Sequence, residues 1–353
     1  MKEYSQKLSS KGKSGLMRAS IKPMPISVSE EEMVELSPLR PDKTLPDVVR
    51  PRLDNVDLGA WIKSNLDFME TNLLKHGAVL FRDFGLKTQA DFERFIETAC
   101  PHVMPYMESA TPRTKLNDKV YTSTEFPPEQ NIALHNELSY VLTFPMRIMF
   151  FCVRPSESGG ATPIADMRRV LRRIPARVRE AFERKGWMLV RNFGDGFGPS
   201  WQDAYHIENR AEVEEYFRKA GIEFEWKGDD RLRTRQVRPA IATHPKTGEA
   251  VWFNHVAFWH VSSLEAGLSQ MLLSEFEDDA LPYNTFYGDG SRIEVSVIDE
   301  IRRAYEEETV SFQWGEGDLL MMDNMLVAHG RTSYAGPRRI LVSMGEPFTR
   351  TDI

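Results

Sequence analysis

Apolar residues recur at helical spacing in the first third of the chain. Residues 58–74 place them on one face of a predicted helix, and residues 89–99 repeat the pattern. Between these two helices the short apolar run at residues 77–81 predicts a buried strand. The apolar residues of the first helix are Trp61, Ile62, Leu66, Phe68, Met69 and Leu73.

At residues 119–165, and again from residue 237 onward, short apolar runs bounded by turn residues replace the helical spacing, and such runs are typical of strands. The turn-forming sequence Ser-Glu-Ser-Gly-Gly at residues 156–160 separates two of them. A helix is predicted at residues 295–307. The predicted strands are residues 120–122, 147–153, 250–253, 311–314, 318–322 and 339–344.

The order of these segments predicts the fold class. Strand-rich blocks on both sides of a charged, helical segment indicate one closed or two-sheet β core with helical decoration, not two independent domains. We therefore expect a single, mainly β domain over residues 51–353, with a helical insert at about residues 167–235. Residues 1–50 are polar, rich in Pro, Lys, Glu and Ser, and show no period, so we expect a flexible N-terminal arm.

Composition narrows the function classes. The 353 residues are 41% hydrophobic and 27% charged, as in a folded protein outside the membrane. Acidic residues outnumber basic ones, 52 to 45, which argues against a nucleic-acid-binding protein. The apolar runs are too short to span a membrane, and no secretory signal pattern opens the chain. With two cysteines and no disulfide scaffold, we expect a cytoplasmic protein without a nucleic-acid or membrane partner.

The histidines offer the clearest candidate chemistry, since phosphate-binding loops and nucleophile elbows do not occur in the sequence. A His-x-Asp/Glu pair supplies two metal ligands, because residues i and i+2 of a strand project from the same face. Chance predicts about one such pair at this composition, and two occur: His135 with Glu137, and His206 with Glu208. The second pair lies in the charged insert before a predicted helix cap, where neither residue needs a function.

A segment near the C-terminus strengthens the first pair. His329 precedes a Gly-Pro turn, and Arg338 and Arg339 follow that turn at the start of a predicted strand. A third His would complete a site of two His and one carboxylate with three open positions. An Arg facing the same cavity could hold a carboxylate bidentately. The other candidates for the third ligand, none followed by such an Arg, are His244, His255 and His260.

Together these motifs resemble the iron(II)- and 2-oxoglutarate-dependent dioxygenases of the taurine-dioxygenase-like family, also called the clavaminate-synthase-like family. The resemblance runs from about residue 77 to residue 346. It implies a double-stranded β-helix (jelly roll) core, and it implies iron(II), 2-oxoglutarate and O2 as cofactor and cosubstrates. His135, Glu137 and His329 would be the iron ligands.

The resemblance also implies how 2-oxoglutarate is held. Thr162, in a Gly-Gly-x-Thr segment, would hydrogen-bond the carboxylate far from the iron, and Arg339 would form the salt bridge to it. Arg338 would then be a surface charge or a cap at the start of the strand. In the taurine enzyme an Arg four residues farther on binds the sulfonate, and this chain has Ser343 at that position. A sulfonate substrate is therefore not expected.

The carboxylate ligand and three further segments refine the expected reaction. The family most often uses Asp, but its clavaminate-synthase and peptide-antibiotic branches use Glu, as at Glu137 here. Halogenases of the superfamily lack this carboxylate and bind chloride in its place, so Glu137 argues against halogenation. Residues 121–127, 134–137 and 163–166 are most similar to the amino-acid β-hydroxylases of nonribosomal peptide pathways, such as the syringomycin-cluster enzyme.

The resemblance thus implies hydroxylation of an unactivated carbon, C3 of an amino acid that is free or attached to a carrier protein, with release of succinate and CO2. Epoxidation or desaturation would use the same site. Two alternatives of other classes are a catalytically silent jelly-roll binding protein and a cupin-like zinc or iron isomerase. The pair Thr162 and Arg339 argues against the isomerase, which needs no carboxylate clamp. The sequence leaves the oligomeric state open, a homo-oligomer included.

Five polar residues are candidates for the substrate pocket, and each has an ordinary structural alternative. Asn131 matches a substrate-facing Asn of the taurine enzyme, but it could equally be a turn residue. Glu125 could bind a substrate ammonium and Arg113 a substrate carboxylate, or both could be solvated charges. Asn254 and His255 follow an apolar stretch and could line the cavity or fill a place in the core.

Overall fold

A computed structural model describes residues 33–105, 114–123, 126–194, 196, 198–228 and 230–351 of the chain. The strands, in chain order, are β1 (Val34–Arg40), β2 (Lys43–Pro51), β3 (Ala78–Phe81), β4 (Tyr121–Thr122), β5 (Ile132–His135), β6 (Thr143–Arg154), β7 (Ser158–Gly159), β8 (Ile164–Asp166), β9 (Trp187–Phe193), β10 (Glu223–Trp226), β11 (Leu232–Arg238), β12 (Ile241–Thr243), β13 (Ala250–Trp252), β14 (Tyr283–Tyr287), β15 (Leu319–Asp323), β16 (Val327–Arg331), β17 (Tyr334–Ala335) and β18 (Arg339–Thr349). The helices are α1 (Leu58–Ser64), α2 (Leu66–His76), α3 (Gln89–Ala99), α4 (Met167–Arg173), α5 (Ala176–Lys185), α6 (Trp201–Tyr205), α7 (Arg210–Ala220), α8 (Val256–Trp259), α9 (Ala266–Glu275) and α10 (Val295–Glu308), with a short 3₁₀ helix at Val261–Ser263.

The largest sheet has the strand order β1-β2-β3-β15-β6-β18-β4. Its pairs are antiparallel except β2 with β3, which run parallel. Side chains of β6 alternate between two hydrophobic clusters: Ile148 and Phe150 lie in one, and Met149 and Phe151 in the other. Both faces of this strand are therefore buried, which explains why its sequence is an almost unbroken apolar run.

Helices α1, α2 and α3 cover the outer face of the large sheet. Trp61 on α1 and Phe92 on α3 pack in the same cluster as Phe151 of β6. Thr88 starts α3 with a capping box, in which its hydroxyl accepts from the Asp91 backbone and the Asp91 carboxylate accepts from the Thr88 backbone. The predicted helix at residues 58–74 is confirmed but is divided at Asn65, which caps the end of α1.

The inner face of the large sheet packs on a smaller sheet with the strand order β5-β16-β8. Ile164 of β8 and Ala328 of β16 share a cluster with Ile148 and Phe150 of β6. Two sheets that enclose one core in this way make the double-stranded β-helix, or jelly roll, and the predicted fold class is confirmed. The small sheet carries the predicted metal ligands at the boundary between the two layers.

The predicted flexible arm is wrong from Val34 onward, because residues 34–51 form the β1–β2 hairpin and pair with β3. Leu45, Val48 and Val49 are buried there. Strand β2 was hard to predict, since Pro46 lies within it and Pro51 ends it, and prolines usually argue against a strand. The rest of the predicted arm, residues 1–32, lies outside the described residues.

The predicted helical insert at residues 167–235 is also corrected, because it contains β9, β10 and much of β11 besides its helices. These strands join β14 in a sheet of order β10-β11-β9-β14. Strand β11 looks like exposed sequence because it is rich in Arg, yet Arg233 and Arg238 are buried. Arg233 donates to Asn192 at 2.8 Å, and Arg238 donates to the Ala220 carbonyl at 2.7 Å. In sequence, strand β11 therefore resembles an exposed polar segment, although these two arginines are buried with hydrogen-bond partners.

Some of the other predicted helices and strands are confirmed, and one predicted strand is wrong. Strands β13, β15 and β18 and helix α10 lie where the apolar patterns predict them, with ends shifted by a few residues. Residues 311–314, predicted as a strand, are irregular, and only their neighbour Val310 forms an isolated bridge, to Ile164. Among the residues that the structure describes, none of the helices is both long enough and apolar enough to cross a membrane.

His260, buried at the end of α8, makes stability depend on pH. Burial lowers its pKa to about 4, helped by the nearby Arg302 guanidinium. Its Nδ1 accepts from the Ser262 backbone, so protonation would also break this cap. Because the unfolded chain binds the proton more readily, stability should fall as pH drops from about 6.5 to about 4. In His260→Gln we expect the free energy of unfolding, measured with denaturant, to fall less over this pH range, by up to about 3 kcal/mol. The exposed His102→Gln variant should show the same pH dependence as the wild type.

Candidate metal centre

The three predicted metal ligands meet on the small sheet. Strands β5 and β16 run antiparallel with His135 directly opposite His329, and their ring centroids are 4.5 Å apart. Glu137 lies two residues beyond His135, and its Oε2 is 4.0 Å from Nε2 of His329. The ligand atoms of all three lie within 4.8 Å of one another. Two imidazole nitrogens and one carboxylate oxygen at this spacing fit a single iron(II) bound at about 2 Å from each, with positions left for small ligands.

The His135 ring is oriented by its own strand. Its Nδ1 lies 2.9 Å from the backbone carbonyl oxygen of Ala133, which can only accept a hydrogen bond. Nδ1 therefore carries the proton, and the lone pair is on Nε2, the nitrogen that would bind the metal. The sequence could not show this, because the tautomer depends on the local backbone course.

Glu137 is held by a buried amide from the other end of the chain. The Asn324 side chain accepts from the Glu137 backbone N–H at 2.8 Å and donates to the carbonyls of Glu137 and Pro145, both at 2.8 Å. Asn136 donates in return to the Asn324 carbonyl at 2.6 Å. Leu138, next in the chain, adopts φ 54°, a left-handed conformation that is unfavourable for a branched residue. The amide clamp holds the turn in this conformation.

A cavity lies beside the three metal ligands. Thr162, predicted to bind 2-oxoglutarate, is buried in its wall, and its hydroxyl oxygen accepts from Trp314 Nε1 at 2.9 Å. The remaining walls are apolar side chains and two arginines. Besides His135, His329 and Thr162, the lining residues are Ser123, Ile132, Phe150, Gly330, Arg331, Arg338 and Ile340.

The arginine that faces this cavity is Arg338, and the prediction of Arg339 is corrected. Arg338 and Ile340 both line the cavity, whereas Arg339 between them is exposed and stands opposite the exposed Arg154 of β6. The register of β18 against β6 shifts between Arg339 and Ile340, so the strand start could not be placed by counting residues. Arg338 is thus not the surface charge that the sequence suggested.

Arg338 has no acidic partner among the residues that the structure describes. Within the described ranges no carboxylate lies within 4.0 Å of its guanidinium, which makes only long contacts, 3.4 Å each, to the Gly160 carbonyl and the Ser123 hydroxyl. Burial lowers its pKa to about 10, and the nearby Arg331 acts in the same direction. A partly buried cation without a counter-charge among the described residues favours an anionic ligand, so the cavity fits the far carboxylate of 2-oxoglutarate.

Comparison with known proteins agrees with this donor set. Residues 35–344 match the family described as "Taurine catabolism dioxygenase TauD, TfdA family". The chain belongs to the TauD/TfdA family. It is a non-haem iron(II)- and 2-oxoglutarate-dependent dioxygenase, so the predicted family, enzyme class and cofactors are confirmed.

Two curated proteins are similar to this TauD/TfdA member along most of their length. Dapdiamide synthesis protein DdaC of Enterobacter agglomerans is 38% identical over 275 residues, 78% of this chain and 84% of that protein. A clavaminate synthase-like protein of Arabidopsis thaliana is 29% identical over 320 residues, 86% of this chain and 94% of that protein.

A solved structure shares the fold at low sequence identity. PvcB of Pseudomonas aeruginosa superposes with a TM-score of 0.56 at 16% identity, covering 91% of this chain and 94% of that one. A second PvcB structure, with a TM-score of 0.54, is described as an Fe, alpha-ketoglutarate dependent oxygenase from an isonitrile synthetic pathway. At this identity the likeness supports the fold of the TauD/TfdA chain and nothing finer.

The predicted substrate residues of this TauD/TfdA enzyme have mixed outcomes. Asn131 is exposed and accepts from the Ser333 backbone at 2.6 Å, so it joins two loops. Asn254 is buried, but it donates to the Ala240 carbonyl at 2.8 Å and accepts from Val256 N at 3.0 Å. Asn254 is not among the residues that line the cavity beside His135 and His329, and both ends of its amide bind backbone groups. Arg113 and Glu125 lie outside the described residues.

His255 does lie beside the metal ligands. Its ring centroid is 5.8 Å from that of His135, and its Nδ1 is 2.6 Å from the Ser139 hydroxyl. Complete burial holds its pKa well below the ordinary value, so it is a neutral imidazole. By contrast, His206 of the second His-x-Glu pair is exposed in a left-handed turn after α6, as expected for a residue without a function.

Sequence reasoning missed Arg331 as a cavity residue. It is buried, and its terminal nitrogens donate to the carbonyls of Phe126, Pro127 and Gln130. It therefore fixes the loop before β5. Its position two residues after His329, on the same strand face, was the available signal.

The Asn324 clamp predicts a loss of iron affinity without loss of the ligands. Asn324→Asp keeps the size of the side chain but replaces two donated hydrogen bonds by repulsion between oxygens. We expect iron(II) binding to weaken by about 10- to 100-fold, the usual effect of removing a group that orients a ligand. Anaerobic iron titration measures the affinity, with Asn72→Asp as the control, because Asn72 is partly exposed on α2 and its amide donates to the Phe68 carbonyl. Wild-type affinity in Asn324→Asp would show that the clamp does not position Glu137.

Proposed function

We propose that this dioxygenase hydroxylates an unactivated carbon, C3, of a small amino-acid-like substrate in a biosynthetic pathway. Support comes from the protein that is 38% identical and is named for dapdiamide synthesis. The sequence similarity to amino-acid β-hydroxylases over residues 121–127, 134–137 and 163–166 points the same way. The proposal includes a substrate that is free or attached to a carrier protein.

We assign the site residues as follows. His135, Glu137 and His329 hold the iron, and Arg338 with Thr162 holds the far carboxylate of 2-oxoglutarate. When bound, iron and 2-oxoglutarate supply the oxidising power drawn from O2, with succinate and CO2 as by-products. Ile132, Phe150 and Ile340 line the cavity and exclude water from it. Glu137 occupies the position that a halide would need, which favours transfer of oxygen over halogen.

The observation that carries this assignment is Arg338, partly buried in the cavity wall that His135 and His329 also line. An isomerase would have no use for a second carboxylate-binding group, and a silent binding protein would have no reason to keep this arginine together with the cluster of two His and one Glu. Epoxidation and desaturation would use the same residues, and only the position of the substrate would differ. The product therefore decides among these three reactions.

The test begins with the anaerobic protein, iron(II) and 2-oxoglutarate, whose complex gives a weak visible charge-transfer band. We expect the band in the wild type and its loss in His135→Ala. Amino acids, free and as carrier-protein thioesters, are then added with O2, and succinate and product mass are measured. A product that gains one oxygen at C3 supports the proposal. A product that has lost two hydrogens would show that the reaction is desaturation, and a product with oxygen added across a double bond would show that it is epoxidation. Either result would contradict the proposed hydroxylation.

A further inference from the structure

Strand β9 buries an arginine, Arg191, for which the described residues supply no hydrogen-bond acceptor or carboxylate. Arg191 is 7% exposed, and its guanidinium carbon lies 4.7 Å from the ring centroid of Phe193, 5.6 Å from Tyr205 and 5.7 Å from Trp259. Across the described part of the chain, no carboxylate lies within 4.0 Å of this guanidinium, and it donates no hydrogen bond. Aromatic faces attract the charge, but they leave the N–H donors of the planar fork without oxygen acceptors.

The other buried arginines of the fold show what is missing. Arg168 forms a salt bridge to Asp166 at 2.8 Å and another to Glu249 at 3.0 Å. Arg233 binds Asp279 at 2.7 Å, and it lies on β11, the strand paired with β9. Two further buried arginines, Arg238 and Arg331, donate to backbone carbonyls instead of a carboxylate. Among the described residues Arg191 has neither kind of partner, which favours a bound ligand as the source of its counter-charge.

The place of Arg191 relative to the metal centre suggests what that counter-charge is. Trp259 meets Phe258 edge-to-face, at 5.7 Å between ring centroids, and the Phe258 ring centroid lies 5.1 Å from that of His135. Two aromatic rings therefore separate the guanidinium from a metal ligand. Trp259 also carries a buried indole N–H that has no acceptor among the described residues. The Arg191 guanidinium and this indole N–H are thus donors without described acceptors, two rings away from His135.

We infer that Arg191 binds a carboxylate of the substrate and sets the enzyme's specificity for it. The inference rests on the proposed function and deepens it, since the substrate would be held at one end by Arg191 while another of its carbons lies at the iron. Arginine is suited to this task because its fork binds both carboxylate oxygens. A substrate tethered as a thioester has lost its α-carboxylate, so the inference favours a free amino acid or one with a second carboxylate.

The test compares matched probes that differ in a single charge. A panel of amino acids, N-acyl amino acids and dipeptides is used, each with its C-terminal carboxamide. Binding is measured anaerobically from the change in the charge-transfer band of the iron(II)–2-oxoglutarate complex. We expect at least one carboxylate to bind the wild type about tenfold or more tightly than its amide. Arg191→Gln should reduce this ratio to about one, with the affinity for 2-oxoglutarate unchanged.

Two further variants guard against a merely structural effect. Arg191→Lys keeps the charge without the fork and should retain part of the preference for the carboxylate. Arg235→Gln, on the neighbouring strand β11, removes an arginine that faces Asp279 and should leave the preference intact. Melting temperatures confirm that each variant is folded.

The possible results distinguish a failure of this inference from a failure of the proposed function. Absence of the band in the wild type would overturn both. A band in the wild type without preference for any carboxylate over its amide would overturn the inference alone. The same holds if the preference survives in Arg191→Gln, or if only thioester-linked substrates that lack a carboxylate are turned over.

Discussion

Replacing Arg338 by Gln is expected to weaken 2-oxoglutarate binding by about 30- to 5,000-fold. Removing one partner of a buried charge pair costs about 2–5 kcal/mol, and this range converts to that loss in affinity. Arg339→Gln should change the affinity by less than about twofold, because an exposed charge contributes little. The dissociation constant comes from anaerobic titration of the iron-loaded protein with 2-oxoglutarate, followed by the visible band.

These adjacent arginines make a matched pair, since Arg338, just before β18, lines the cavity, whereas Arg339, the first residue of β18, is exposed. Arg338→Lys keeps the charge but loses the bidentate fork, so an intermediate affinity is expected. If Arg339→Gln weakened binding and Arg338→Gln did not, the original sequence-based assignment would be restored. The start of β18 would then have to lie one residue away from its observed register.

Replacing Glu137 by Gln is expected to weaken iron(II) binding by more than about 100-fold. The amide has nearly the same size as the carboxylate, so the packing is kept, but the anionic ligand oxygen is lost. Removing a group that only orients a ligand typically weakens metal binding by about 10- to 100-fold, and removing the ligand itself should weaken it more. Glu137→Asp keeps the charge and shortens the reach, so an intermediate affinity is expected. Equilibrium titration and metal content after gel filtration measure the effect.

The second His-x-Glu pair supplies the control for this experiment. Glu208 is exposed, and Glu208→Gln should bind iron like the wild type. Full iron affinity in Glu137→Gln, with a normal melting temperature, would contradict the assignment of Glu137 as a ligand. Equal losses in Glu137→Gln and Glu208→Gln would instead indicate a general effect of acidic charge on metal uptake.

The central strands could be predicted from sequence because of how they are buried. Side chains of residues 147–153 point alternately into two hydrophobic clusters, so nearly every residue of this strand is apolar. An apolar run of this kind can be recognised from the local sequence alone. Strand β2 gives no such signal, since two prolines interrupt it and its partner β3 begins at residue 78. The sheet that contains β9 and β11 was not predicted, because its strands contain buried arginines. Charged residues are usually exposed, so without knowledge of their partners these strands look like surface segments.

The metal ligands were predictable for a similar reason, since the spacing of His135 and Glu137 reports a local geometry. Which of the two adjacent arginines lines the cavity was not predictable, because a shift of one residue in the strand start reverses the side-chain direction. The contact of Asn324 with Glu137 was not predictable either. This contact spans 187 positions in the chain, and only tertiary structure brings the two together.

The pairing of β5 with β16 also decides when the enzyme can acquire its metal. His135 is synthesised early, but its partner His329 lies on a strand near the end of the described chain, as does Arg338. A nascent chain that has emerged only as far as β14 holds two of the three ligands and has no sheet on which to complete the site. Such distant pairings form late in folding. Iron therefore stabilises only finished molecules, so a supply of the metal favours the completed fold over every truncated or partly assembled form.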